Sequence, residues 1–316
     1  MPSSPTPLKG SSPADMASTR YLPDRGLSVR MGLTMFLLGL LYVVLVAVIV
    51  VAVDSLALAL VVAAGALFAQ WFFSDRIALY AMHGRVVTPQ EAPQLHGIVD
   101  RLCALADMPK PTVAIADSDV PNAFATGRTP ARAVVCATTG LMNRLDEREL
   151  EGVLAHELSH VAHRDVTVMT VASVVGVLAG FLTRIVLYSG MGRGRRDSNG
   201  PPVILVVILV SAVVYALSFL LTRALSRYRE LSADRSGAFL TGQPSALASA
   251  LTKISGEMGR IPSRDLREAE PYNAFFFAPA AAPGFSLSSL FSTHPPLEQR
   301  LEQLGAISAQ LGRPTT

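Results

Sequence analysis

Glu157 follows His156 and precedes His160, and the two histidines are four residues apart. On a helix this spacing stacks both imidazoles on one face. Neutral imidazole nitrogens bind zinc at about 2.0–2.1 Å, so the pair can offer two donors to one ion. Glu157 adjoins the first donor and is placed to take a proton from a water at that ion. The pattern H-E-x-x-H points to metal-assisted hydrolysis. Two buried imidazoles still need a third, anionic ligand to make a charged metal site favourable.

The motif works only on a helix, and the flanking residues predict one. Asp146 with Glu149 three residues on has the form of a capping box, with Asp in the Ser/Thr position. Leu150, Val153, Leu154, Leu158 and Val161 then recur at helical spacing. His163 lies seven residues after His156 on roughly the same side. It reads either as a polar helix end beside Arg164 and Asp165 or as a group that steadies a ligand. Two other motifs are excluded. A metzincin needs Gly where His163 stands and His where Val166 stands. The string His163-Arg164-Asp165 is not a kinase loop, because Thr170 replaces the required Asn and no Gly-rich phosphate loop precedes it.

Hydrophobic residues make up 50% of the chain and charged residues only 16%, against about 25% charged in soluble domains. That deficit predicts a membrane protein. The net charge of +3 and the lack of a basic patch with interleaved aromatics argue against a nucleic-acid partner. Cys103 and Cys136 have no metal-binding spacing. They read as two partly buried free thiols, which suits a reducing compartment.

Along the chain, residues 1–30 read as a mobile tail rich in Pro, Ser, Gly and Arg, without a cleavable signal pattern. Residues 31–53 and 55–74 are two uncharged apolar runs, each long enough to cross about 30 Å of hydrocarbon. Asp54 between them makes a tight turn, so 31–75 reads as a transmembrane hairpin. Trp71, Phe72 and Phe73 sit where an interfacial aromatic belt is expected.

Residues 76–165 have soluble character. Leu95, Ile98, Val99, Leu102 and Leu105 predict an amphipathic helix. Residues 112–117 and 131–138 predict strands. Asn122, Ala123 and Phe124 lie between them, in what the residues alone present as a simple connection.

Residues 166–188 and 203–221 form a second pair of apolar runs, joined by a Gly- and Arg-rich turn at 189–202. Arg184 can snorkel toward that turn. A charged helical stretch, 222–241, follows. Glu230 and Asp234 share a face there, either as a solvated ion-paired surface with Arg227 or as site groups. Glu268 and Glu270 are competing acidic candidates in a Pro-punctuated region. Residues 269–292 read as an irregular Ala-, Pro- and Phe-rich segment. His294-Pro295-Pro296 then opens a helix with Leu297, Leu301, Leu304 and Ile307 on one side.

The chain resembles the HtpX-type membrane zinc metalloproteases, relatives of the prenyl-protein CAAX endoproteases. The likeness is carried, in order, by Arg85-Val-Val-Thr-Pro-Gln-Glu-Ala-Pro93, Pro121-Asn-Ala-Phe-Ala-Thr-Gly127, the H-E-x-x-H helix, Arg229-Glu-Leu-Ser-Ala-Asp234 and Ser292-Thr-His-Pro-Pro296. It runs from about residue 30 to residue 304. It implies that Glu230 is the third ligand to one Zn²⁺, with His156 and His160, and that Asp234 orients a ligating imidazole. It implies that Asn122, Ala123 and Phe124 form an edge strand on which substrate docks. It also places His294 near the cleft, to hold substrate or polarise the scissile carbonyl.

The fold class expected is a mostly helical α+β protein. It would be multi-pass, with a gluzincin-like metalloprotease domain (76–165 and 222–316) interrupted by a transmembrane hairpin (166–221). His160 and Glu230 can share an ion only if an even number of spans separates them, and two spans satisfy this. Lys9, Arg20, Arg25, Arg30, Arg76, Arg85, Arg164, Arg223, Arg227 and Arg229 then lie on the side of the site. Arg193, Arg195 and Arg196 lie opposite, so the excess places the catalytic domain in the cytoplasm; the alternative is a second hairpin that does not cross fully.

The expected localisation is the plasma or inner membrane. The expected partners are polypeptide substrates drawn from membrane proteins, and the lipid bilayer. The expected activity is proteolytic quality control of misfolded or damaged membrane proteins. The alternatives are a CAAX-type processing protease and a catalytically silent zinc-binding scaffold.

Overall fold

The computed structural model describes residues 25–52, 82–127, 129–169, 201–258 and 294–312, with isolated positions 61, 65, 68, 72, 79, 80, 172 and 179. Several expectations lie outside these residues: most of the apolar runs 55–74 and 166–188, the turn 189–200, Glu268, Glu270 and the segment 269–292.

The first helix, α1 (Arg25–Ala52), begins inside the stretch read from sequence as a tail. Its Leu38 is buried against Leu225 and Ala172, with Met31, Met35 and Leu221 packed around them. A four-stranded sheet follows: β1 (Gly84–Val86), β2 (Thr112–Ala116), β3 (Ala123–Thr126) and β4 (Val134–Thr138). The spatial order is β1-β2-β4-β3. β2 and β4 are parallel, and the two outer strands run antiparallel to their neighbours. The fourth strand starts later than its apolar run because Pro130–Arg132 turns as a short 3₁₀ segment.

Between β1 and β2 lies α2 (Pro93–Ala106). Leu95, Ile98, Val99 and Leu102 face the core as expected, while Leu105 is 37% exposed. Cys103 and Ala106 complete the buried stripe instead. A left-handed Asp107 ends the helix before Pro109.

After β4 come α3 (Thr139–Arg144) and α4 (Glu147–Ala162), the helix that carries the motif. Its capping box is complete: Asp146 Oδ1 accepts from the Glu149 N–H at 2.9 Å, and Glu149 Oε2 accepts from the Asp146 N–H at 3.0 Å. Such a cap contributes about 0.5–2 kcal/mol. Glu149 also accepts from Ser249 and Lys253, both on α6 (Pro244–Met258).

The apolar run 203–221 and the charged stretch 222–241 are one continuous helix, α5 (Pro201–Thr241). α7 (Leu297–Leu311) closes the fold. The main core lies between one face of the sheet and α2, α4, α6 and α7, around Leu95, Leu102, Leu150, Leu154, Leu158 and Leu304. Gly237 lets α5 touch α4 directly: a Cβ there would stand 2.9 Å from the backbone nitrogen of His156. Cys103 and Cys136 are buried free thiols. Burial pushes them up to about 11 and about 12, so neither is a ready nucleophile.

Candidate active site

α4 and α5 bring three donor groups together. Ligand atoms of His156, His160 and Glu230 all lie within 4.8 Å of one another. The two Nε2 atoms are 3.1 Å apart. Glu230 Oε1 is 3.4 Å from His160 Nε2, and its Oε2 is 3.7 Å from His156 Nε2. Two ligands at about 2.1 Å from a tetrahedral ion stand about 3.4 Å apart, so the spacing suits one small cation.

The donor chemistry suits it too. His156 Nδ1 meets Asp234 Oδ1 at 2.9 Å, and His160 Nδ1 meets Asp165 Oδ2 at 2.5 Å. A ring that donates its Nδ1–H to a carboxylate keeps a lone pair on Nε2. Both lone pairs then face the same point, beside a carboxylate. A shared cation satisfies all three, and the residues present fit a metal.

Each carboxylate behind a histidine has an arginine of its own. Arg300 Nε and Nη2 donate to Asp234 Oδ2 and Oδ1, both at 2.7 Å. Arg229 Nη2 lies 2.7 Å from Asp165 Oδ2. Asp234 and Arg300 are almost fully buried. Burial works to raise the Asp165 carboxyl, but the Arg229 charge and the His160 hydrogen bond prevail and hold it well below the usual carboxylate range.

Sequence reasoning missed Asp165, Arg229 and Arg300 as site groups. Asp165 reaches His160 because α4 ends at Ala162 and Arg164 takes a left-handed φ of 55°. A residue with a side chain adopts that conformation at a cost of about 1–2 kcal/mol. The available signal was an aspartate just beyond the helix end, within one turn of a ligand. His163 caps the same helix end, is exposed and is not among the three donors.

Glu157 is buried beside the donor group. Burial pushes its carboxyl up, and the neighbouring imidazoles and the Ala125 N–H oppose that push. The Ala125 N–H donates to Glu157 Oε2 at 2.9 Å, so this residue of β3 turns its amide away from β4. Alternation then aims the Ala123 backbone outward as well. Asn122 turns inward, the Thr138 N–H donating to its carbonyl at 2.9 Å, and alternation turns Phe124 the same way. His294 is placed on the third carboxylate, its Nδ1 2.8 Å from Glu230 Oε2.

An H-E-x-x-H helix, an edge strand beside it and a glutamate from a later helix define a metalloprotease of α+β fold. Its α5 contains a helix, Leu205–Thr241, long and apolar enough to cross a membrane. The chain belongs to peptidase family M48, whose model matches residues 89–308. It is 61% identical over 294 residues to protease HtpX homolog 1 of Streptomyces coelicolor, covering 93% of this chain and 97% of that one. It is 53% identical to the protease HtpX homolog of Moorella thermoacetica, covering 91% and 96%. The crystal structure of S. mikatae Ste24p shares the fold, with a TM-score of 0.51, 16% identity and coverage of 89% of this chain and 67% of that one.

Proposed function

We propose that this metalloprotease is a zinc-dependent, multi-pass membrane endopeptidase that hydrolyses misfolded or damaged membrane proteins at the cytoplasmic face of the membrane. The observation that carries the chemistry is the convergence of His156, His160 and Glu230 within 4.8 Å. These three would hold one Zn²⁺ per chain, and a His₂Glu set leaves a position open for water. Zinc, when bound, supplies Lewis acidity, which lowers the pKa of a water and polarises a carbonyl.

The chain's own groups do the rest. Glu157 takes a proton from the attacking water and passes it to the leaving amine. Its bond to the Ala125 N–H aims the carboxylate. Asp234 holds His156 in the tautomer that presents Nε2. The strand containing Asn122, Ala123 and Phe124 lies at the sheet edge beside Glu157, and an extended substrate would align along it. His294 holds the Glu230 carboxylate, and substrate contact is a second role for it.

The length and composition of α5 support placement at the membrane. A helix of 41 residues is about 60 Å long at about 1.5 Å per residue. That is twice the roughly 30 Å of hydrocarbon, so only its first half lies in lipid. Glu230 sits about 14 Å beyond Leu221, the last residue of the apolar run, at about 1.5 Å per residue. The site would therefore lie just outside the bilayer, where loosened membrane proteins present chain.

Glu157→Gln tests the reading. The variant is expected to keep one zinc per chain and to lose casein cleavage. Unchanged cleavage would refute the base assignment. Cleavage of a prenylated peptide in preference to casein would favour CAAX-type processing.

A further inference from the structure

His160 is backed by a carboxylate that no motif announces. Asp165 Oδ2 is shared between His160 Nδ1 and Arg229 Nη2. Asp165 is 3% exposed and Arg229 9%, so this is not a solvated surface pair. The partners come from opposite sides of residues 170–200. Asp165 opens the helical stretch 165–169 that follows the histidine helix, and Arg229 immediately precedes Glu230 on α5.

We propose that Asp165 is a positioning residue for His160, that Arg229 holds it in place, and that this ion pair, beside the His156–Asp234 bond, helps register the two histidines of α4 against the glutamate of α5. The inference rests on the zinc reading above. Asp165 accepting from Nδ1 leaves the His160 Nε2 lone pair facing Glu230 and His156. Arg229 neutralises a buried carboxylate that would otherwise repel Glu230 or turn toward solvent. Any rotation of α5 that withdraws Glu230 also pulls Arg229 off Asp165, so assembly of the ligand set and orientation of its second histidine occur together. The left-handed Arg164 is the backbone feature that returns Asp165 to the helix it has just left.

A purely structural ion pair would affect stability and leave the metal alone, so metal binding is the discriminating readout. The full chain in detergent is titrated with zinc against a chromophoric chelator, and the cobalt(II) absorption spectrum is recorded in parallel. Circular dichroism melting shows that each variant is folded. Asp165→Ala is expected to bind zinc about 10–100-fold more weakly, the range for outer ligand partners, and to change the cobalt spectrum. Asp165→Asn keeps the volume and an acceptor, and it is expected to lose less. It carries the test if the alanine variant does not fold. Arg229→Gln is expected to weaken zinc binding, and Arg229→Lys, which keeps the charge, to recover part of the loss.

Affinities for both Asp165 variants within about twofold of wild type, well short of the outer-partner range, would overturn the proposal while the zinc reading stood. A wild-type chain that binds no zinc would overturn both.

Discussion

The two halves of α5 obey opposite rules. In the first, Leu205, Leu209, Val213 and Leu217 are exposed, with Leu209 at 56%. In the second, Arg229, Glu230, Asp234 and Ser236 are buried, with Asp234 at 0%. A soluble helix hides its apolar stripe and shows its charges. One continuous helix that does the reverse at both ends has two different environments. An apolar face turned outward over this length suits lipid, and buried charges that are all paired suit a site. Gly237 lies in the second half, where α5 presses on the backbone of His156.

Either half of α5, and the site it reaches, can be perturbed separately. The largest expected effect is on chemistry. Glu157→Gln should lower proteolysis about 10²–10⁴-fold, the usual contribution of a general base, measured as kcat/KM on casein with zinc content unchanged. Next, Asp234→Ala removes the carboxylate that accepts two hydrogen bonds from the buried Arg300 guanidinium. It should cost about 3–5 kcal/mol of stability, read as a lowered Tm in detergent. Leu209→Arg addresses the apolar half. A bilayer around it makes the substitution cost about 2.5–3.5 kcal/mol, seen as reduced membrane insertion. Unimpaired insertion would show that this half does not lie in lipid.

Gly237→Ala should cost about 1–3 kcal/mol through overpacking and weaken zinc binding by parting α4 from α5. The smallest effect concerns Glu149. Burial tends to raise its carboxyl, but Lys253, Ser249 and the Asp146 N–H outweigh that and lower it. A carboxyl lowered in the folded state stabilises the fold above its unfolded pKa, about 4.3. The contribution is lost as pH falls through the folded-state value. The Tm advantage of wild type over Glu149→Gln should therefore be present at neutral pH and fade as the solution is acidified below about pH 4.3.

What the sequence made legible divides along the same line. The motif helix, its Asp146–Glu149 cap and its apolar face follow from local spacing, and the apolar runs follow from composition. Glu230 and Asp234 were legible only through family resemblance, because more than sixty residues separate them from His160 and no local period links them. Arg300 was not legible at all, since its role depends on α7 docking against α5. Asp165 was adjacent in sequence and still missed, because its contact depends on one left-handed residue, Arg164, that carries no glycine to advertise the turn. Leu105 was misassigned because a stripe drawn from large apolar residues overlooked Cys103 and Ala106, which are small enough to pack close.

The most direct test of the central claim is the metal content of purified protein, wild type beside Glu230→Ala, each dialysed against a graded series of zinc chelators. Wild type is expected to carry one zinc per chain, and the variant to release it at far lower chelator strength. Zinc held by Glu230→Ala as tightly as by wild type would contradict that claim and assign the third ligand elsewhere.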